Sequence, residues 1–278
     1  MPPGYHSGYI PMTRRLLTLA IFTAASLSLV MAQENYEIQV YPGEVLEPHR
    51  TMFELHSNFT FEGTKTVEEG QIPTNHALHE TVEITQGFNE WFETGFYIFT
   101  SYNSYGYGYG WVGDHIRPRV AIPASWKWPI GLSLSTEFGY QRARYSADTW
   151  TIELRPIIDK QLGRWYLSFN PTVDRSFHGP GVAAGVVFSP NFKVGYDITK
   201  KVNMGFEYYG SLGPITGFDP VRDQQQQIMP CIDLNLGPDW EFNAGIGIGV
   251  TQATDHLLVK LILGRRFDFG HKSRGADR

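Results

Sequence analysis

A single cysteine, Cys231, stands among 278 residues, so no intrachain disulfide framework can staple this fold. Positive charge is also scarce. The chain has 23 Lys and Arg against 28 Asp and Glu, a formal net charge of −5, and that sign argues against nucleic acid as a partner. Beyond Ala32 no apolar run approaches the roughly 18 residues that a membrane-spanning helix needs. The membrane-helix class is therefore excluded for everything after the first 32 residues.

Those first residues read as an export signal. Arg14 and Arg15 precede an apolar run from Leu16 to Val30, and Val30-Met31-Ala32 forms a small-residue cleavage site. We expect residues 1–32 to be a cleaved signal peptide, with Met12 as an alternative start. The competing reading is a transmembrane anchor, which Thr, Ser and Ala dilute. Gln33, not a cysteine, directly follows Ala32, so a lipoprotein anchor is not indicated.

What the chain does have is aromatics, at 14%, 29 glycines and a period of two. In MFELHSNFTF, Phe53, Leu55, Phe59 and Phe61 share one parity, while Glu54, His56, Asn58 and Thr60 hold the other. This is a strand with one apolar face. The same alternation recurs, for example at Phe92/Phe96/Ile98, Ile116/Val120, Leu132/Leu134/Phe138, Val182/Val186/Phe188/Phe192 and Val259/Leu261/Leu263, giving about twelve strands of roughly ten residues each. Short connections such as GFNEW and DITKK alternate with longer ones.

Trp91, Trp126, Trp128, Trp165 and Trp240 sit at the short turns. Tyr102, Tyr105, Tyr107, Tyr109, Trp111, Tyr145 and Trp150 sit toward the long loops. Two such bands look like interfacial girdles. The fold class expected is all-β, a transmembrane antiparallel up-and-down β-barrel over residues 51–269, with a periplasmic lead-in at 33–50 and a polar tail at 270–278. A soluble two-sheet sandwich is the competitor.

Two stretches carry a family resemblance. HETVEITQGFNEWFETGFYIF (His79 to Phe99) and WPIGLSLSTEFGYQR (Trp128 to Arg142), with EIQVYPGE near the expected mature start, resemble outer-membrane barrels of the MetA-pathway-of-phenol-degradation type. The resemblance implies the barrel fold and transfers no catalytic residues. The end of the chain, LLVKLILGRRFDF, with Gly264, Phe267 and Phe269, resembles the signal by which barrel-assembly machinery recognises its substrates. Its partners would then be that machinery during insertion and outer-membrane lipid afterwards.

The stretch SYGYGYGWVG holds a G-x-G-x-x-G spacing from Gly108 to Gly113. A dinucleotide fingerprint needs a helix after its glycines, and DHIRPRVAIPA, with Pro118 and Pro123 in an alternating run, cannot supply one. We expect instead an extension or loop at the long-loop end, its aromatic row either at headgroup level or folded over the pore mouth.

If the apolar rows face lipid, the lumen receives Glu54, His56, His79, Glu83, Glu93, His115, Arg117, Arg119, Glu137, Glu153, Arg155, Glu207, Asp233, Glu241, His256 and Lys260. We single out Arg117, Arg119, Arg155, Glu137, Glu153 and Glu207 as lumen-lining selectivity residues, with the arginines laddered against Glu137. His79, His115 and His256 are the candidates for a metal, set against the reading that inward histidines simply pair with carboxylates. Ser57 adjoins His56 but has the opposite parity, so it makes no hydrolase pair. No cofactor is indicated. The functional expectation is a passive channel or binding pore for a small solute. A closed structural or adhesion barrel is the alternative, and a membrane-embedded hydrolase a third.

Overall fold

The computed structural model describes residues 35–68 and 70–268. The expected signal peptide and polar tail lie outside the described residues. Twelve strands follow one another along the chain: β1 (Arg50–Glu62), β2 (Ala77–Asn89), β3 (Phe92–Asn103), β4 (Gly108–Ala121), β5 (Gly131–Gln141), β6 (Trp150–Leu162), β7 (Trp165–His178), β8 (Val186–Thr199), β9 (Val202–Ser211), β10 (Gln225–Leu234), β11 (Trp240–Gly249) and β12 (Leu257–Asp268). Each pairs antiparallel with its neighbours in sequence, and β1 pairs with β12 to close the barrel. Closure leaves no edge strand with unpaired backbone groups, which is the condition for crossing lipid without helices.

Burial is inside-out. Phe53, Leu55, Val82, Phe96, Ile116, Leu134, Phe169 and Met204 are exposed on the outer wall, whereas Glu83, His56, Arg117, Asn170 and Lys260 are buried inside. An apolar exterior around a polar interior is the arrangement of a transmembrane β-barrel. The alternation read from the sequence sets this directly, because every second side chain points through the wall. The five tryptophans at the short turns are all exposed. At the other end Tyr145 is partly buried against an inner aromatic cluster and so does not join the girdle. The strand expected to start at Val182 begins at Val186, because Pro180–Ala183 forms a 3₁₀ turn.

The aromatic stretch is also settled. β3 and β4 slip register between Phe99 and Thr100, so that Gly113 opposes Phe99 while Trp111 opposes Thr100, leaving Val112 as an extra residue. Val112 is fully buried, whereas Tyr109 and Trp111 are exposed on the outer wall. The bulge thus reverses parity and turns the aromatic row outward. A Cβ at Gly113 would run into the Tyr140 carbonyl oxygen, so only glycine lets β5 approach here.

The stretch expected as a lead-in is described from Asn35 onward, and its residues thread the lumen. At the long-loop end Asn35 Nδ2 donates to Asp255 Oδ2 at 2.7 Å, and at the short-turn end the His49 amide donates to the Gly87 carbonyl at 2.9 Å. The segment alternates like the strands around it. It is polar enough on one face, and apolar enough on the other, to satisfy both kinds of lumen wall.

Candidate functional site

The lumen segment is held from three sides. Its backbone is fixed by β7: Asn170 Oδ1 accepts from the Tyr41 amide at 2.8 Å, and Ser168 Oγ donates to the Tyr41 carbonyl at 2.8 Å. Ile38 and Val40 pack with Tyr209, Met229 and Leu258 in a small apolar core inside the barrel. Tyr36 joins a second cluster with Tyr97, Phe99 and Val112.

The third contact is cationic. The Arg117, Arg155 and Arg119 guanidinium carbons lie 4.7, 4.8 and 5.8 Å from the centre of the Tyr41 ring, all within cation–π range. The Tyr41 hydroxyl bonds the Tyr97 hydroxyl at 2.9 Å and donates to Glu37. Carboxylates hold each arginine in turn. Arg117 contacts Glu83 at 2.5 Å and Glu93 at 3.5 Å, Arg119 contacts Glu93 at 3.4 Å, and Arg155 contacts Glu153 at 2.6 Å and Glu37 at 3.4 Å. Arg119 also donates to the Pro42 and Glu44 carbonyls, and the Leu46 amide donates to Glu93 Oε2 at 2.6 Å. Buried charges survive only when paired in this way.

Space remains on either side of the segment. Toward the long loops lies a cavity of about 180 Å³ whose lining includes Glu37, His79, His115, Glu137, Arg155 and Asp174. Toward the short turns lies another of about 260 Å³, bounded by β6 to β11 and lined by Lys193, Glu207, Asp233, Glu241 and Asn243. Gln39 lines both. Its amide nitrogen donates to Glu241 Oε1 at 3.3 Å.

A family model described as "Putative MetA-pathway of phenol degradation" matches residues 85–259, more than half of the chain. The chain belongs to this family. Among curated proteins no sequence matches. Of solved structures, the COG4313 outer membrane channel from Pseudomonas putida F1 superposes with a TM-score of 0.56 at 9% identity, covering 83% of this chain and 100% of that one. The NanC porin gives a TM-score of 0.53 at 8% identity, covering 76% of this chain and 97% of its own. At such identities the likeness is one of fold, and these neighbours are channels and porins rather than enzymes.

Against this family frame the expected site residues fall into two groups. Arg117, Arg119, Arg155, Glu137 and Glu207 are buried inside the barrel and Glu153 is partly so. The expected ladder, however, is re-paired: Glu137 bonds His115, while the arginines take Glu83, Glu93, Glu153 and Glu37. All three arginines grip the lumen segment, and of them Arg155 also lines the outer cavity. Glu207 accepts from Lys260 and forms an ion pair with Lys193 at 3.1 Å, while Lys193 donates to Asp233 at 2.7 Å.

The three histidines are not brought together as a ligand set. His79 lies edge-on to Tyr36 at 4.8 Å, His115 is taken by Glu137, and His256 is exposed in the loop before β12 rather than inward on it. Ser57 bonds Glu80 on the outer side of the wall while His56 is buried inside, so that pair is split as expected.

Missed from the sequence were Glu37, Gln39 and Tyr41. Their signal was present: Tyr36, Ile38 and Val40 alternate with them, which marks a strand-like segment with two different partners.

Proposed function

We propose that the protein is a passive outer-membrane channel for a small solute, with the two lumen cavities as its chambers and Gln39 as the septum between them. The observation that carries this reading is that Gln39 alone among the lumen segment's residues lines both cavities. A solute would enter among the long loops, pass Gln39, and leave along Lys193, Glu207 and Asp233. The names of the two structural neighbours, an outer membrane channel and a porin, support the same reading.

A second reading, a closed structural or adhesion barrel, is favoured by the filled middle of the lumen, where Tyr41 sits among three arginines. Planar-bilayer recording separates the two. The channel reading expects small conductance steps from the wild type, larger ones from Gln39→Ala and none from Gln39→Trp. Silence from both the wild type and Gln39→Ala would leave only the closed barrel. Among the charged residues, Arg155, Glu137 and Glu153 line the outer chamber and are the ones that would bias solute charge there. Arg117 and Arg119 serve the clamp.

A further inference from the structure

β1 and β2 place Glu54 directly opposite Glu83 inside the barrel. Across β12 the same row continues through Gly264 to Glu241 on β11. Like charges facing each other across neighbouring strands oppose folding, and burial makes this worse. Glu54 is 4% exposed and Glu83 fully buried. Two of the three carboxylates have cationic partners: Arg117 takes Glu83 Oε1 at 2.5 Å, and Arg266 takes Glu241 Oε2 at 3.0 Å. Glu54 has no ion pair among the described residues, and its Oε1 has no hydrogen-bond partner.

Beside it lies His56, fully buried, with neither ring nitrogen hydrogen-bonded. Its Nε2 stands 3.4 Å from Glu83 Oε2, the oxygen that Arg117 leaves free. One ligand atom each from Glu54, His56 and Glu83 lies within 4.8 Å of the other two. Gly264 makes the arrangement possible. A Cβ there would lie 2.8 Å from Glu54 Cγ and 3.1 Å from Glu241 Cβ, so any larger residue would push Glu54 out of the group.

We infer that Glu54, His56 and Glu83 form a divalent transition-metal site inside the barrel wall. An imidazole with two carboxylates is a donor set suited to Zn²⁺ and its first-row neighbours rather than to Mg²⁺ or Ca²⁺. Bond lengths of about 2.0–2.2 Å place ligand atoms about 3–4 Å apart, so a small turn of the Glu54 carboxylate completes the approach. The cation supplies the charge that Glu54 lacks. It ties β1 to β2 beside the seam where β1 meets β12. Glu241, in the same row across Gly264, lines the short-turn cavity.

The test uses the full chain in detergent micelles, stripped with chelator, desalted and titrated with ZnCl₂, with bound zinc counted by elemental analysis after gel filtration. The wild type is expected to retain one Zn²⁺ per chain and to unfold at a higher temperature with it. Glu54→Gln and His56→Gln, which keep shape, are expected to lose the ion. His79→Gln and His115→Gln are expected to keep it. Heat-modifiable gel mobility checks that each variant is a closed barrel. Should Glu54→Gln fail to fold, X-ray absorption of zinc-loaded wild type decides, with one imidazole in the first shell expected. No stoichiometric zinc in the wild type, full retention by folded Glu54→Gln, or a shell without imidazole each overturns the assignment.

Discussion

The two faces of the lumen segment are built on different physics. One presents Glu37 and Tyr41 to Arg117, Arg119 and Arg155, and the other presents Ile38 and Val40 to Tyr209, Met229 and Leu258. The charged face is specific and unforgiving, because a buried guanidinium that loses its partners keeps its desolvation cost. The apolar face is additive and tolerant, since each methyl removed costs its own transfer and cavity terms. A segment held only by apolar contacts could slide along the lumen. The arginines, with the bonds of Asn170 and Ser168 to the Tyr41 backbone, fix its register, and Gln39 with it, between the two cavities.

Removing both faces at once has the largest expected effect. Deletion of residues 35–46 should raise single-channel conductance several-fold and lower the unfolding midpoint, because the arginines lose Tyr41 and Glu37 and the inner apolar core loses Ile38 and Val40. Unchanged conductance would mean that the solute path does not run beside the segment. Next comes the charged face alone. Arg117→Ala strands Glu83, and breaking such a buried pair typically costs about 3–5 kcal/mol, measured by urea unfolding in micelles. A loss below about 1 kcal/mol, the range of an exposed pair, would show that the clamp is hydrated and weak.

How much of this was legible beforehand follows the same division. Strand number, closure and the outward rows could be read because a period of two is a local property, and lipid on one side makes it strict. The parity reversal at Val112 could be stated only as an alternative, since a bulge is decided by how β3 and β4 register and not by either strand alone. Arg117, Arg119 and Arg155 could be placed inside, but their partners could not. Which carboxylate reaches which arginine depends on side-chain length across several strands and on Tyr41, which arrives from outside the barrel's own pattern. His256 was misplaced because strand β12 starts one residue after it, and parity means nothing in a loop.

The apolar face gives the third effect. Ile38→Ala or Met229→Ala should cost about 2–5 kcal/mol, the usual range for a large-to-small core change, with the conductance of the closed clamp preserved. A conductance change as large as that of the deletion would show that the arginines and the Tyr41 backbone bonds do not set the register by themselves. Tyr41→Phe is milder. It removes the hydroxyl bonds to Tyr97 and Glu37 but keeps the ring among the guanidinium groups, so a loss of about 1 kcal/mol is expected, the usual net worth of a hydrogen bond.

The smallest effect is expected where the segment meets the long loops. Asp255 accepts from Asn35 Nδ2 at 2.7 Å and from Thr74 Oγ1 at 2.7 Å. Burial raises its carboxyl above the usual aspartate range despite these bonds, which pull it the other way. A folded-state carboxyl raised above its unfolded value takes up its proton more readily in the fold, so its contribution to stability is greatest at low pH and is lost as pH rises through the folded value. Asp255→Asn keeps an acceptor oxygen for Asn35 and removes the buried charge. The variant should match or slightly exceed the wild type in unfolding midpoint at neutral pH, and the difference should vanish in acid, where the wild-type carboxyl is itself protonated. A variant that is less stable at neutral pH would show that the charge on Asp255 is what tethers Asn35, and would make the outer anchor of the segment a charge-assisted contact like the arginine clamp rather than a neutral hydrogen bond.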